Sequence, residues 1–135
     1  MARLIDSSVL ITVERRGLSA ADVRGLIPGQ GLAIASITAF ELLVGIHLAD
    51  TAERRERRRV YVETILHMLA VIPFDLRVAR THAAVAARLQ STRRSVGAND
   101  MLVAATALAY ECPVVTDNIR EFERVQGLTV LAPGW

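Results

Sequence analysis

The sequence predicts an α/β fold built on a largely parallel sheet. Three observations lead there. Short apolar runs alternate with longer helical patterns along the whole chain, as successive βα units do. No repeat, low-complexity tract or linker interrupts that alternation. The length, 135 residues, suits one domain over 1–135 and can bury a core without disulfide or metal staples.

The elements follow in order. Arg3 to Ile5 is a first apolar strand, and Asp6-Ser7-Ser8 supplies capping chemistry for a short helix over Val9 to Arg15. Ser19 can cap a helix through about Ile27, ended by Pro28-Gly29 and Gly31. Leu32 to Ala35 is a second, buried strand, after which Ser36 or Thr38 opens a helix to about Leu48. Thr51 caps the next helix, which carries the Arg-rich stretch to about Met68, and Leu69 to Pro73 is a third strand. Asp75 caps an Ala-rich helix to about Gln90; Ser91 to Gly97 is a polar loop. Ala98 to Tyr110 is a helix of small and apolar residues that packs against the sheet. Pro113 to Thr116 is a fourth strand, Ile119 to Val125 a short helix, and Leu128 to Leu131 a last strand after Gly127.

Composition narrows the function classes. With 52% hydrophobic and 22% charged residues the chain is globular rather than disordered. No apolar run approaches a membrane span, and Met1 to Ile5 reads as a strand rather than a leader. The single Cys112 excludes an internal disulfide and makes a thiolate metal site unlikely; a reducing cytoplasm is the default compartment. His47, His67 and His82 each fall in a helix without metal-ligand spacing, and Trp135 is expected to anchor the chain end or to stand exposed. Neither a G-x-G-x-x-G turn nor a P-loop is present, so no nucleotide-cradling motif competes for the chemistry.

The chemistry is carried by acids. Asp6, Ser36 and Thr116 each fall at the carboxyl end of a strand, the edge at which open parallel sheets build their sites. Asp6 has the ordinary explanation of a helix N-cap, although Ser7 and Ser8 would serve as well. Glu41 lies among Phe40, Leu42, Leu43 and Val44; it either completes a capping box with Thr38 or faces inward to a partner, because buried acids need one. Asp100 stands in the first turn of a nearly all-apolar helix, where the helix dipole favours an anion and where burial without a basic partner invites a cation. Asp117 and Glu121 follow the fourth strand. Each acid alone is ordinary; together at one edge they suit Mg²⁺, which takes hard oxygen ligands.

Four blocks resemble a known family. They are Leu4-Ile-Asp6-Ser-Ser-Val-Leu-Ile11, Ser36-Ile-Thr-Ala-Phe-Glu41-Leu-Leu-Val-Gly45, Gly97-Ala-Asn-Asp100-Met-Leu-Val-Ala-Ala-Thr-Ala107 and Val115-Thr116-Asp-Asn118-Ile-Arg-Glu121-Phe122. In order and spacing they resemble the PIN-domain ribonucleases, and among them the VapC toxins of bacterial toxin–antitoxin pairs, over nearly the whole chain. The resemblance implies a three-layer α/β/α sandwich with a central, mostly parallel sheet. It implies Mg²⁺ or Mn²⁺ held by Asp6, Glu41 and Asp100, with Glu121 as the favoured fourth acid and Asp117 as the alternative. Thr116 and Asn118 match polar positions that orient water or a ligand, and Ser7 would contact phosphate or metal-held water. The implied reaction is endonucleolytic cleavage of single-stranded RNA by a metal-activated water. The implied partners are a VapB-like antitoxin and a second copy of the chain.

All 16 basic residues are Arg, which a GC-rich genome explains as readily as nucleic-acid binding does. Arg54, Arg55, Arg57, Arg58 and Arg59 read first as a solvated helix face laced with intrahelical pairs and second as an RNA track. Arg93 and Arg94, in the loop before Asp100, are better placed to touch RNA, with Arg15 and Arg16 as further candidates. Three other readings compete: a housekeeping RNA-processing nuclease, a catalytically silent RNA- or protein-binding module, and a small-molecule α/β enzyme.

Overall fold

The structure, a computed structural model, describes residues 2–27 and 31–135. In chain order it contains β1 (Arg3–Ile5), α1 (Ser7–Arg15), a 3₁₀ turn (Ala20–Asp22) running into α2 (Val23–Leu26), β2 (Leu32–Ala35), α3 (Ser36–His47), α4 (Ala52–Met68), β3 (Ala70–Ile72), α5 (Leu76–Ser91), α6 (Ala98–Ala109), β4 (Val114–Val115), α7 (Ile119–Phe122) and β5 (Val130–Leu131). The strands form one sheet in the order β3-β2-β1-β4-β5, and every neighbouring pair is parallel.

Alternation along the strands divides the core into two layers. Ile5, Ile34 and Val115 pack with α1, α2, α3 and α4, through Val9, Leu10, Val23, Leu42, Ile46 and Ile65. Leu4, Ala33, Ala35 and Val114 face the other way, onto Val103, Ala104 and Ala107 of α6 and Phe122 of α7. The small side chains of β2 and α6 let helix and sheet approach closely. Helix α3 contributes to both layers, Ile37 to the second and Leu42 and Ile46 to the first. Helices therefore cover both faces, the three-layer α/β/α arrangement.

Several boundaries differ from the sequence reading. The helix expected from Ser19 to Ile27 is a 3₁₀ turn followed by four helical residues; its expected stop at Pro28-Gly29 lies outside the described residues. Ser19 does cap, in a capping box with Asp22, and Gly31 takes φ +73°, a value that favours glycine. The third strand is shorter than expected, running over Ala70–Ile72. Leu69 closes α4 instead, Ala70 and Val71 are exposed on the sheet edge, and Pro73 has no N–H to extend the ladder. β4, β5 and α7 are each shorter than expected. Thr51 and Asp75 cap α4 and α5 as expected, accepting from the Arg54 and Val78 amides. No described helix is long and apolar enough to cross a membrane.

This topology fixes where a site forms. From β1 the chain moves outward to β2 and β3, then returns to β1's other edge with β4. The crevice between the carboxyl ends of β1 and β4 is therefore the point at which strand order reverses, the preferred ligand position in an open parallel sheet. Asp6 and Thr116 are the first residues beyond those two strands.

Candidate active site

Strand alternation puts Asp6 on the same side as Leu4, and Thr116 on the same side as Val114, toward the layer holding α6. Asp6 is only 1% exposed. Although it occupies the N-cap position of α1, its side chain accepts no capping hydrogen bond, so the capping explanation does not hold. Its Oδ2 accepts from Ser8 Oγ at 2.8 Å and from Thr116 Oγ1 at 2.9 Å. Each hydroxyl is itself oriented by an amide: Asp117 N–H donates to Ser8 Oγ at 3.1 Å and Asn118 N–H to Thr116 Oγ1 at 2.9 Å. Two N–H to O–H to carboxylate chains thus converge on one oxygen. The other, Asp6 Oδ1, is buried and has no hydrogen-bond partner among the described residues. An unpaired buried carboxylate oxygen is costly, and a cation would relieve that cost.

Glu41 is half-buried on α3. The capping box with Thr38 does not form, because α3 begins at Ser36 with Ala35 as its N-cap. Instead Ser7 Oγ donates to Glu41 Oε1 at 3.2 Å and Asn99 Nδ2 to Oε2 at 3.4 Å, so Glu41 joins α1 to α6. Thr38 lies one turn earlier on the same face of α3. It is fully buried, and its Oγ1 has no partner.

Asp100 occupies the first turn of α6 and hydrogen-bonds with Glu121. Burial, that hydrogen bond and the negative charges of Asp6, Glu121 and Glu41 push its carboxyl up to about 7. Glu121 is held below the usual carboxylate range, first by the Gly97 N–H and then by Asp100; the Gly97 bond measures 2.7 Å. The Gly97 amide thus favours the charged form of Glu121, while burial and the neighbouring acids favour the neutral form of Asp100. A Cβ at Gly97 would lie 3.4 Å from Glu121 Oε1 and 3.9 Å from Asp100 Oδ2, ordinary van der Waals contact.

The structure thus brings Asp6, Glu41, Asp100 and Glu121 into one electrostatic cluster. Asp117 turns elsewhere: it is exposed, and its Oδ2 accepts from Thr12 Oγ1 of α1 at 3.0 Å. Ser7 bonds Glu41, Thr116 bonds Asp6, and the exposed Asn118 contributes its amide. The sequence reading missed the work of Ser8, Asn99 and the Gly97 amide. Their signal was adjacency, since each lies within three residues of Asp6 or Asp100. Among the described residues no three His, Cys, Asp or Glu side chains already stand close enough to hold an ion between them.

The arginines disperse. In the α4 run, Arg59 pairs with Glu56 within the helix and Arg54 with Asp50 just before it. Arg58 instead reaches Glu14 of α1 at 3.4 Å and the Gly45 carbonyl at 3.0 Å, and Arg55 the Ala49 carbonyl. The face expected to be laced by intrahelical pairs is therefore partly a clamp between helices. Arg93 is exposed with φ +57° beyond the end of α5, and Arg94 lines a cleft beside α5 rather than the carboxylate crevice. Arg15 is exposed, and Arg16 stacks 4.7 Å over the Trp135 ring, tethering the chain end. His82 lies edge-on to Phe74. Burial raises the Cys112 thiol pKa, so it is no ready nucleophile.

The PIN domain family model matches residues 3–128, so the chain belongs to the PIN-domain family. Within that family its relatives are VapC proteins. It is 31% identical over 131 residues to "Ribonuclease VapC1" of Rickettsia felis, covering 97% of this chain and 96% of that one. It is 30% identical over 126 residues to the "tRNA(fMet)-specific endonuclease VapC" of Shigella flexneri, covering 93% and 92%. Among solved structures, VapBC-5 of Mycobacterium tuberculosis, a member of the VapBC family of toxin-antitoxin systems, superposes with TM-score 0.76 at 29% identity over 97% of this chain and 96% of that one.

Proposed function

We propose that this protein is an endoribonuclease and the toxin of a VapBC-type pair, held inactive by a cognate VapB-like antitoxin, and that it cuts single-stranded RNA with Mg²⁺ or Mn²⁺. The observation that carries the reading is Asp6: a buried carboxylate at the strand-order reversal, with one oxygen doubly hydrogen-bonded and the other unpaired. The all-oxygen donor set fits a hard divalent cation. Asp6, Glu41, Asp100 and Glu121 would hold the ion. When bound, it lowers the pKa of water and stabilises charge on the transferring phosphate.

The chain's own residues supply positioning. Ser8 and Thr116 keep Asp6 Oδ1 free by occupying Oδ2. Ser7 and Asn99 hold Glu41 between α1 and α6. The Gly97 amide holds Glu121 beside Asp100. The exposed Asn118 would meet the RNA phosphate, while the buried Ser7 holds Glu41 and Asp117 braces α1 through Thr12. Arg93 and Arg94 would meet the RNA outside the crevice. Hydrolysis then forms a bond from water to phosphorus and breaks one to a ribose oxygen. RNA loops are the expected targets, because unpaired strands can splay into the crevice, and the naming of one relative points to tRNA. We place the protein in the cytoplasm and as a homodimer. Phe40, 56% exposed, and Phe74, 49% exposed, line one apolar groove where a second copy would bury them.

The test is twofold. Purified protein freed of antitoxin should cut tRNA in Mg²⁺ and stop in chelator. Its expression should arrest growth, and co-expression of a small neighbouring gene should relieve the arrest. Absence of cutting under any divalent cation would overturn the nuclease reading; cutting without growth arrest would favour a housekeeping enzyme.

A further inference from the structure

A second cleft, of about 760 Å³, opens between α5 and the segment after α7. Its floor includes Leu89, Leu108 and Val125, and three arginines line it, Arg88, Arg94 and Arg124, against one acid, Glu123. None of the three is in an ion pair among the described residues. Arg88 donates to the neutral Gln126, and Arg124 donates to the Ser95 carbonyl at 2.8 Å. The α4 run differs, since Arg54, Arg58 and Arg59 all have carboxylate partners. The charge of the second cleft is thus largely free for a ligand.

Residues 95–97 link the cleft to the carboxylate crevice. Arg124 follows Glu121 by one turn beyond the end of α7, its N–H donating to the Glu121 carbonyl at 3.2 Å. Glu121 accepts from Gly97 and Arg124 donates to Ser95, so one loop is fixed from both sides. A strand with one phosphate at the crevice would pass over residues 95–97 into the cleft.

We infer that the Arg88–Arg94–Arg124 cleft is the track for the flanking RNA strand, its guanidinium groups gripping backbone phosphates beside the scissile one. The inference rests on the ribonuclease reading. Guanidinium suits phosphate because its planar fork donates bidentately. Such contacts position the strand without reading its bases, so the cleft sets how firmly RNA is held, while the crevice sets where it is cut.

The experiment uses full-length Asp6→Ala protein, which holds RNA without cutting it, and a fluorescent single-stranded RNA titrated across a salt series. Arg88→Gln/Arg94→Gln is compared with a charge-matched control on α4, Arg54→Gln/Arg59→Gln; Arg124 is kept because it fixes the loop. Each lost single-strand phosphate contact removes about 0.7 from the slope of log K against log salt, so the cleft variant should lose about 1.4. The control should keep the parent slope, and thermal melts should show both variants folded. Equal slopes in all three proteins, or equal losses in both variants, would overturn the inference. A parent that binds no RNA would instead overturn the ribonuclease reading beneath it.

Discussion

Replacing Thr116 by Val tests the device that positions Asp6. The two side chains are nearly isosteric, and Thr116 is fully buried, so packing is preserved. What disappears is one donor to Asp6 Oδ2 at 2.9 Å and one acceptor for the Asn118 amide at 2.9 Å. A hydrogen bond to a charged group contributes about 1.5–3 kcal/mol, and an amide left without its partner costs about 1 kcal/mol more where water is excluded. Ser8, at 2.8 Å on the same oxygen, compensates in part, so the expected loss is about 2–3 kcal/mol. For a chain of this length that lowers the melting temperature by about 8–12 °C. The assay is thermal unfolding in chelator, with Ser8→Ala and the double variant alongside. The double variant should lose more than the sum, because neither hydroxyl is then left to compensate for the other on Asp6 Oδ2. An unchanged melting temperature in Thr116→Val, or strict additivity, would refute the converging chains.

Three further outcomes follow. Asp100 is pushed from 3.8 to about 7, so the folded chain binds more protons than the unfolded chain between those values. Its contribution is fully present below about pH 4 and is lost as pH rises through 7; after discounting for solvent screening at this half-buried group, the loss is about 1–2 kcal/mol. Denaturation in chelator should therefore show falling stability from pH 5 to 8, and Asp100→Asn should flatten that fall; Glu121, shifted the opposite way, acts in a window below about pH 4 and leaves this one clear. Thr38→Val removes a fully buried hydroxyl with no partner and should raise stability by about 1 kcal/mol, measured by urea unfolding; a loss would mean the hydroxyl has a partner in solution. Tyr61→Phe deletes the 2.6 Å bond to the Leu10 carbonyl that ties α4 to α1 and should cost about 1 kcal/mol, checked in the same way.

The parts of the fold legible in sequence were those set by local chemistry. β2 was legible because Gly31 and Ser36 bound an unbroken apolar run, and α4 and α5 because Thr51 and Asp75 are strong caps. The placing of Asp6 and Thr116 at one edge followed from strand ends alone. What was not legible depends on helix phase and chain crossing. Thr38 and Glu41 have capping-box spacing, but the strand before them delivers the chain into a helix three residues early, with Ala35 as N-cap, so Glu41 turns to Ser7 and Asn99. Asp117 and Glu121 were not separated by spacing even with the short helix read from Ile119, because it is the Gly97 amide that holds Glu121 beside Asp100 and Thr12 of α1 that takes Asp117. Ser7 and Ser8 are adjacent in sequence yet serve different acids, a division that only α3 and β4 decide. Arg94 falls near Asp100 in sequence, but the end of α5 carries it into another cleft.

The most direct measurement is cleavage-site mapping on tRNA in Mg²⁺ with wild-type protein and Asp6→Asn in parallel, each shown folded by its melting curve. Asn keeps the shape of Asp6 but removes the charge that the unpaired Oδ1 offers a cation. Discrete cuts by the wild type and none by the folded Asp6→Asn protein are the predicted result. Equal cutting by both would contradict the carboxylate crevice as the active site.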